Sequence, residues 1–293
     1  MSNPSHLRAT LQALLVTFLW STSFVIIKLG LEEIPPLTFA GLRYVIAFIC
    51  LLPFTFTKKK IGAIKNIEKR DWLRLIYLGI MFITITQGAQ FIGLSLLPAV
   101  TVSLLLNFTP VIVAVLGIYL LAEKPGLVQW TGIALFITGI LIYFFPVFLS
   151  AYQGLGIIVM LIGVAANAGS AILGRGINRE AKLSPLVVTV VSMGIGSMLL
   201  LVIGILTQGL PSINLKNMFY LLWLSAVNTA FAFTLWNSTL RSLRAMESSI
   251  INGTMLIQIA VLAWIFIGEP ITWKEGLGMI IAGIGAVVVH IRK

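Results

Sequence analysis

The chain has 293 residues, 59% of them hydrophobic and 10% charged, with a formal net charge of +11 and a mean hydropathy of +1.05. A soluble domain carries roughly 25% charged residues, so this composition excludes water as the main solvent and makes the lipid bilayer the chain's first partner. The basic surplus invites nucleic acid, but no aromatic-interleaved basic surface accompanies it, which argues against that partner.

In chain order, windows of roughly 20 apolar residues bounded by charge, Pro or Gly fall at 9–29, 37–56, 72–94, 98–120, 127–145, 153–173, 184–206, 217–240, 245–267 and 272–290. The first is too long for a signal-peptide core and holds Lys28 near its far end, so it is read as retained. Cys50, in the second window, is the single cysteine, which forbids an intrachain disulfide and says nothing of compartment. The longest gap, Thr57 to Asp71, reads as a charged loop. The expected fold is all-α and integral to the membrane, with ten transmembrane helices.

The basic residues sort by loop. Arg8, the run from Lys58 to Arg74, Lys124, Arg175, Arg179, Lys182, Arg241, Arg244, Arg292 and Lys293 share one side; Lys216 and Lys274 fall on the other, and Lys28 and Arg43 lie within spans. Basic loops stay inside, so both termini are expected in the cytoplasm, with the cell membrane as the location.

Halving the chain leaves five windows on each side, and the fourth and fifth align with the ninth and tenth at an offset of 146 residues. Ala99 falls on Ala245, Ser103 on Ser249, Ala114 to Leu116 on Ala260 to Leu262, Glu123 on Glu269, Gly132 on Gly278, and Gly139 on Gly285. An odd number of spans starts the second copy from the opposite face. The expected organisation is therefore two inverted five-helix repeats, 1–146 and 147–293, an arrangement associated with secondary transporters. Glu123 and Glu269 each end an apolar run and precede a proline. They read as carboxylates serving the N-terminus of the following helix, with ion coupling as the lesser alternative.

Trp20-Ser21-Thr22-Ser23-Phe24 with Lys28, Pro36 with Arg43, Thr109-Pro110 with Glu123, Trp236-Asn237, and Gly268-Glu269-Pro270 occur in an order and spacing that resemble the EamA type of the drug/metabolite transporter superfamily. The sequence departs from that pattern at Met255-Leu256, where a proline is usual, and at Ala166-Asn167-Ala168, which lacks a counterpart of Trp20. The resemblance covers essentially the whole chain. It implies a secondary transporter, an exporter or exchanger of small metabolites such as amino acids or related amphipathic solutes. Relatives of the same general fold carry nucleotide sugars or phosphorylated sugars, so phosphorylated or anionic metabolites remain an alternative cargo.

Ionisable residues inside a span are functional candidates. Lys28 lies near a span end and is expected to snorkel to the interface. Arg43 is deeper; it either pairs with Glu32 or Glu33 or presents its planar fork to an anion. No Asp or Glu lies in the middle of a window, and His6 and His290 sit at the chain ends. Exchange or facilitated movement is therefore expected over a proton relay. For the same reason no catalytic residue, metal ligand or cofactor is expected, and a membrane-embedded enzyme ranks below both a carrier and a passive channel or facilitator. The candidate solute-binding residues are Trp20, Ser23, Arg43, Gln87, Gln90, Asn107, Asn167, Trp236 and Asn237. Asn228 and Gln258 are weaker candidates, and any of the polar ones could instead bond a neighbouring helix. Gln87 and Gln90 share a helix face and lead the group with Trp20. Gly88, Gly93, Gly132, Gly139, Gly278 and Gly285 are expected to permit close helix contact, and Gly194 and Gly196 to add flexibility. Monomer and homodimer remain equally open.

Overall fold

The computed structural model describes residues 4–109, 111–113, 126–145, 150–180, 182–239, 243 and 251–289; at Pro4, Ser5, Lys58, Lys59, Ala63, Gln129, Arg175, Arg179, Asn237 and Val289 it describes the backbone alone. Pro110, Ala114 to Leu116, Glu123 to Pro125, Arg241, Arg244, Ala245, Ser249 and His290 to Lys293 lie outside the described residues.

Among the described residues every regular element is helical and no strand occurs. The helices are α1 (Pro4–Gly30), α2 (Pro36–Leu51, continued by a 3-10 turn, Leu52–Thr55), α3 (Lys58–Lys65), α4 (Lys69–Leu96), α5 (Ala99–Leu106), α6 (Leu127–Phe144), α7 (Ala151–Arg179) and α8 (Pro185–Gln208). They are followed by α9 (Leu215–Leu222, Trp223–Phe231 and Ala232–Thr239 in succession), α10 (Met255–Ile267) and α11 (Trp273–Val289). Helix is the expected answer to a bilayer, because only intrasegment bonds satisfy backbone groups there. Six helices, α1, α2 with its turn, α4, α7, α8 and α9, are long and apolar enough to cross a membrane. Apolar side chains such as Leu11, Phe18, Ile49, Ile158, Val202 and Trp264 stand exposed on α1, α2, α7, α8 and α10, as lipid-facing positions should.

Local signals set several ends. Pro185 opens α8 behind Ser184, whose hydroxyl accepts from Val187 N at 3.4 Å. Ser150 with Gln153 and Thr272 with Glu275 form reciprocal capping boxes at the starts of α7 and α11. Gly268, at φ 71°, ends α10 in the left-handed conformation that a residue with a Cβ resists.

The charged stretch from Thr57 to Asp71 is not all loop: it holds α3 and the first residues of α4. Thr57 is extended, its carbonyl accepts from the amides of Lys60 and Ile61 at 2.9 Å, and the Lys60 ammonium donates to the Phe54 carbonyl at 2.7 Å. Charge removes a segment from the bilayer without opposing helix, since Lys is a good helix former.

The chain forms two compact units, and neither is one half of the sequence. The first takes Met1–Leu29, Leu96–Ile157 and Phe231–Lys293. Its main packing is α6 against α11, antiparallel and at close quarters. A Cβ on Gly139 would strike the backbone of Gly278 and Ala282, one on Gly285 the backbone of Gly132 and Phe136, and one on Gly278 would lie 2.7 Å from the Gly139 carbonyl. Small residues are what let membrane helices approach this far. The Thr101 and Tyr143 hydroxyls bond at 3.0 Å, and the rings of Phe108 and Phe136 meet edge-on at 4.9 Å.

The second unit takes Gly30–Ser95 and Ile158–Ala230. Here α2 and α8 run antiparallel, with Gly41 against Leu201 and Gly204 so close to Thr38 that a Cβ would lie 2.6 Å from its amide nitrogen. Parallel to α8 runs α4: Gly79 abuts Ser192 and Gly196, and the Thr84 hydroxyl donates to the Gly196 carbonyl at 2.9 Å. Gly196 thus makes a packing contact where flexibility was expected. Arg74 pairs with Glu180 at 2.7 Å and Lys182 with Asp71 at 3.4 Å, tying the start of α4 to the end of α7 and the turn beyond it.

Two stretches widen from α to π geometry, Ile80–Gln87 in α4 and Trp223–Phe231 in α9. In each, a threonine hydroxyl donates to the carbonyl five residues back, Thr86 to Met81 and Thr229 to Leu224, both at 2.8 Å. π segments are rare and recur at functional sites.

Candidate functional site

In the second unit, α2 carries Arg43 and Tyr44 side by side, and each is held by one π segment. The Arg43 Nε donates to the Thr229 hydroxyl at 3.1 Å, and the Tyr44 hydroxyl donates to Gln87 Oε1 at 2.7 Å. The guanidinium carbon lies 5.3 Å from the centre of the Tyr44 ring and 5.9 Å from that of Phe91, which in turn packs edge-on against Phe39.

Arg43 is only 4% exposed, and no carboxylate lies within ion-pair reach of it among the described residues. Of the two readings open for Arg43, the pairing with Glu32 or Glu33 does not form among the described residues. Glu33 is taken by the side-chain amides of Asn214 and Asn217, at 2.6 and 2.7 Å, with Lys216 at 3.9 Å. The reason is position: Glu33 precedes α2 and faces the start of α9, whereas Arg43 lies inside the helix. A buried charge without a counterion costs several kcal/mol, and one hydrogen bond with two cation-π contacts of about 0.5–2 kcal/mol each offsets only part of that. Nη1 and Nη2 have no hydrogen-bond partner among the described residues.

Gln87 and Gln90 are both buried, as their shared face suggested. Gln87 receives Tyr44, while Gln90 has no hydrogen-bond partner among the described residues. Asn167 is half-buried on α7. Tyr44 and Thr229 are site residues that the sequence alone does not single out. The Thr-Ile-Thr-Gln stretch ending at Gln87 was a visible polar break in an apolar helix, but the π geometry that aims Thr229 at Arg43 has no simple sequence signature.

In the first unit the Trp20 ring lies 5.5 Å from Phe233 and 5.2 Å from Trp236, and its buried indole Nε1 has no acceptor among the described residues. Trp236 also packs against a core of Ala9, Ala13, Leu243 and Ile251. Ser23 is buried and bonds back to the Leu19 carbonyl at 3.4 Å. Asn107 bonds back to the Ser103 carbonyl at 2.8 Å, closing the end of its own helix. The Asn237 side chain lies outside the described set. Gln258 bonds Ser21 and Thr254, the interhelical use that was the alternative for such residues.

Lys28 does not snorkel free: its ammonium pairs with Glu269 at 2.6 Å, the two side chains being 21% and 13% exposed. Glu269 also accepts from the Ala99 amide, through Oε1 at 3.0 Å and Oε2 at 2.8 Å. The carboxylate therefore serves the N-terminus of α5, while Glu275 serves the following helix, α11. Pro98 leaves the first amides of α5 without a side-chain cap of its own, and Glu269 supplies one from a distant part of the chain.

Comparison with known proteins finds relatives over nearly the whole chain. The chain is 26% identical to the uncharacterized transporter YoaV of Bacillus subtilis (strain 168), over 91% of each sequence. It is 25% identical to a probable amino-acid metabolite efflux pump of Salmonella typhimurium, over 93% of this chain and 92% of that one. A solved crystal structure shares the fold at a TM-score of 0.69 and 15% identity, covering 96% of this chain and 97% of the other. The profile of the EamA-like transporter family matches twice, over residues 7–145 and again over 154–291. A chain whose described elements are all helical, several of them long and apolar, and which is matched from near its start to near its end, thus belongs to the EamA-like transporter family and is a multi-pass membrane transporter of small solutes.

Proposed function

We propose that the chain is a secondary carrier, an exporter or exchanger of amino acids or related amphipathic solutes, working by alternating access. Ten spans form two inverted repeats, 1–146 and 147–293, in the cell membrane, and both termini lie in the cytoplasm. The observation that carries this reading is the packing of α6 on α11. The 146-residue offset maps Gly132 to Gly278 and Gly139 to Gly285. In the contact itself Gly285 faces Gly132 and Gly139 faces Gly278. Exchanging the halves therefore turns one contact into the other, the signature of a two-fold, self-complementary interface. Its antiparallel sense is what inversion requires, and α2 on α8, the second and seventh spans, is antiparallel as well. The double family match supports the same division. Inverted repeats supply two alternative packings; the polar and aromatic residues around Arg43 within the second unit, and those around Trp20 within the first, are each proposed as solute-facing groups. Arg43 also keeps anionic and phosphorylated metabolites in view as cargo.

Counterflow tests the proposal. Full-length protein in sealed vesicles, preloaded with one unlabelled amino acid at a time, is expected to take up the labelled form several-fold faster than unloaded vesicles. Steady conductance without acceleration by any trapped solute would instead indicate a channel.

A further inference from the structure

We infer that Arg43 anchors a solute carboxylate end-on, through Nη1 and Nη2, with Thr229 and the Tyr44–Gln87 pair as positioning residues. The inference rests on the carrier reading and names the chemistry of its site.

Hydrogen-bond bookkeeping around the guanidinium fixes its free face. The single proton of the Thr229 hydroxyl goes to the Leu224 carbonyl, so toward Arg43 that oxygen can only accept, and it accepts from Nε. The side edge of the guanidinium is thereby occupied, and the terminal pair of nitrogens remains. Two parallel N–H donors match the two oxygens of a carboxylate. The Tyr44 hydroxyl is committed to Gln87 Oε1, which leaves the Gln87 NH2 and the whole Gln90 amide as neutral groups without partners among the described residues.

Charge decides between carboxylate and phosphate. Arg43 touches a threonine hydroxyl and the rings of Tyr44 and Phe91, and every one of these contacts is with a neutral group. One carboxylate neutralises one guanidinium. A phosphate monoester dianion would leave a net negative charge among apolar helices, where an uncompensated charge is expensive. The arrangement is therefore selective for a single carboxylate, carried on a monoanion or a zwitterion, over phosphorylated metabolites.

The test uses purified full-length protein, with thermal midpoints measured in a panel of the common amino acids, their carboxamides and glycerol 3-phosphate. At least one amino acid is expected to stabilise the protein, with its carboxamide and glycerol 3-phosphate at least tenfold weaker. Arg43→Gln should lower the apparent affinity for the acid at least tenfold and leave the carboxamide unchanged. Arg43→Lys should recover only part, because the fork is lost while the charge is kept, and Thr229→Val should weaken the acid several-fold. If Arg43→Gln does not fold, the acid-to-amide comparison on the unaltered protein still decides. Equal stabilisation by acid and amide, or stronger stabilisation by glycerol 3-phosphate, would overturn the assignment. Counterflow of a carboxylate-free solute with no acid binding would overturn it too, while leaving the carrier reading intact. Acid binding without counterflow of that acid would do the reverse.

Discussion

At the scale of single residues, two charged side chains inside the first two spans have opposite fates. Lys28 finds a carboxylate, and Glu269 uses its remaining capacity to cap α5, so one acid ties together the last turn of α1, the first turn of α5 and the turn after α10. Arg43 finds none. Glu269→Ala should cost about 1–3 kcal/mol, since it strands both an ammonium and a backbone amide. Glu269→Gln should cost less, because its side-chain oxygen can still accept from Ala99. In a double-mutant cycle of Lys28→Met with Glu269→Gln, thermal or chemical unfolding should report a coupling of about 0.5–3 kcal/mol. Strict additivity would mean that the ion pair adds nothing.

At the scale of elements, glycines separate into those that set helix distance and those that do not. Gly285 sits on the backbone of Phe136, whereas Gly276, in the same helix, has open space where a Cβ would go. Gly285→Ala is expected to destabilise by about 1–3 kcal/mol through overpacking, and Gly276→Ala to be neutral or to stabilise by up to ~1 kcal/mol through helix propensity. Comparing the unfolding of the two variants checks this, and similar costs would mean that the α6–α11 contact is looser than described. Glycine spacing and hydropathy made these elements legible in the sequence, because a bilayer imposes length and apolarity and close helix contact imposes small residues. Partners distant in sequence were not legible. Pro270 is the local cue beside Glu269, which acts on Ala99, and Glu32 and Glu33 are the nearby acids for Arg43, whose partner is Thr229. Gln87 and Gln90 were found because helical spacing is a local property; what Gln87 bonds, Tyr44, depends on how α2 meets the π segment of α4. α3 is not legible in the sequence, because a run of lysines reports solvent, not backbone conformation.

At the scale of the molecule, the sequence halves and the compact units are different divisions of one chain. Each unit draws segments from both halves, and within a unit α6 packs on α11 and α2 on α8, helices of the same rank in the two proposed repeats. Such a division suits a carrier whose repeats exchange conformations, with the Arg43 cluster open to each side in turn. Alternating exposure of that cluster is measured most directly with a cysteine at Gln90, a buried residue whose side chain no hydrogen bond holds among the described residues, in a chain whose only native thiol is removed by Cys50→Ser. The Gln90→Cys protein, oriented in sealed vesicles, should react with a membrane-impermeant thiol reagent added to either side, and a transported solute should change the two rates in opposite directions. Labelling confined to one side under every condition, or changed in the same direction on both, would contradict alternating access.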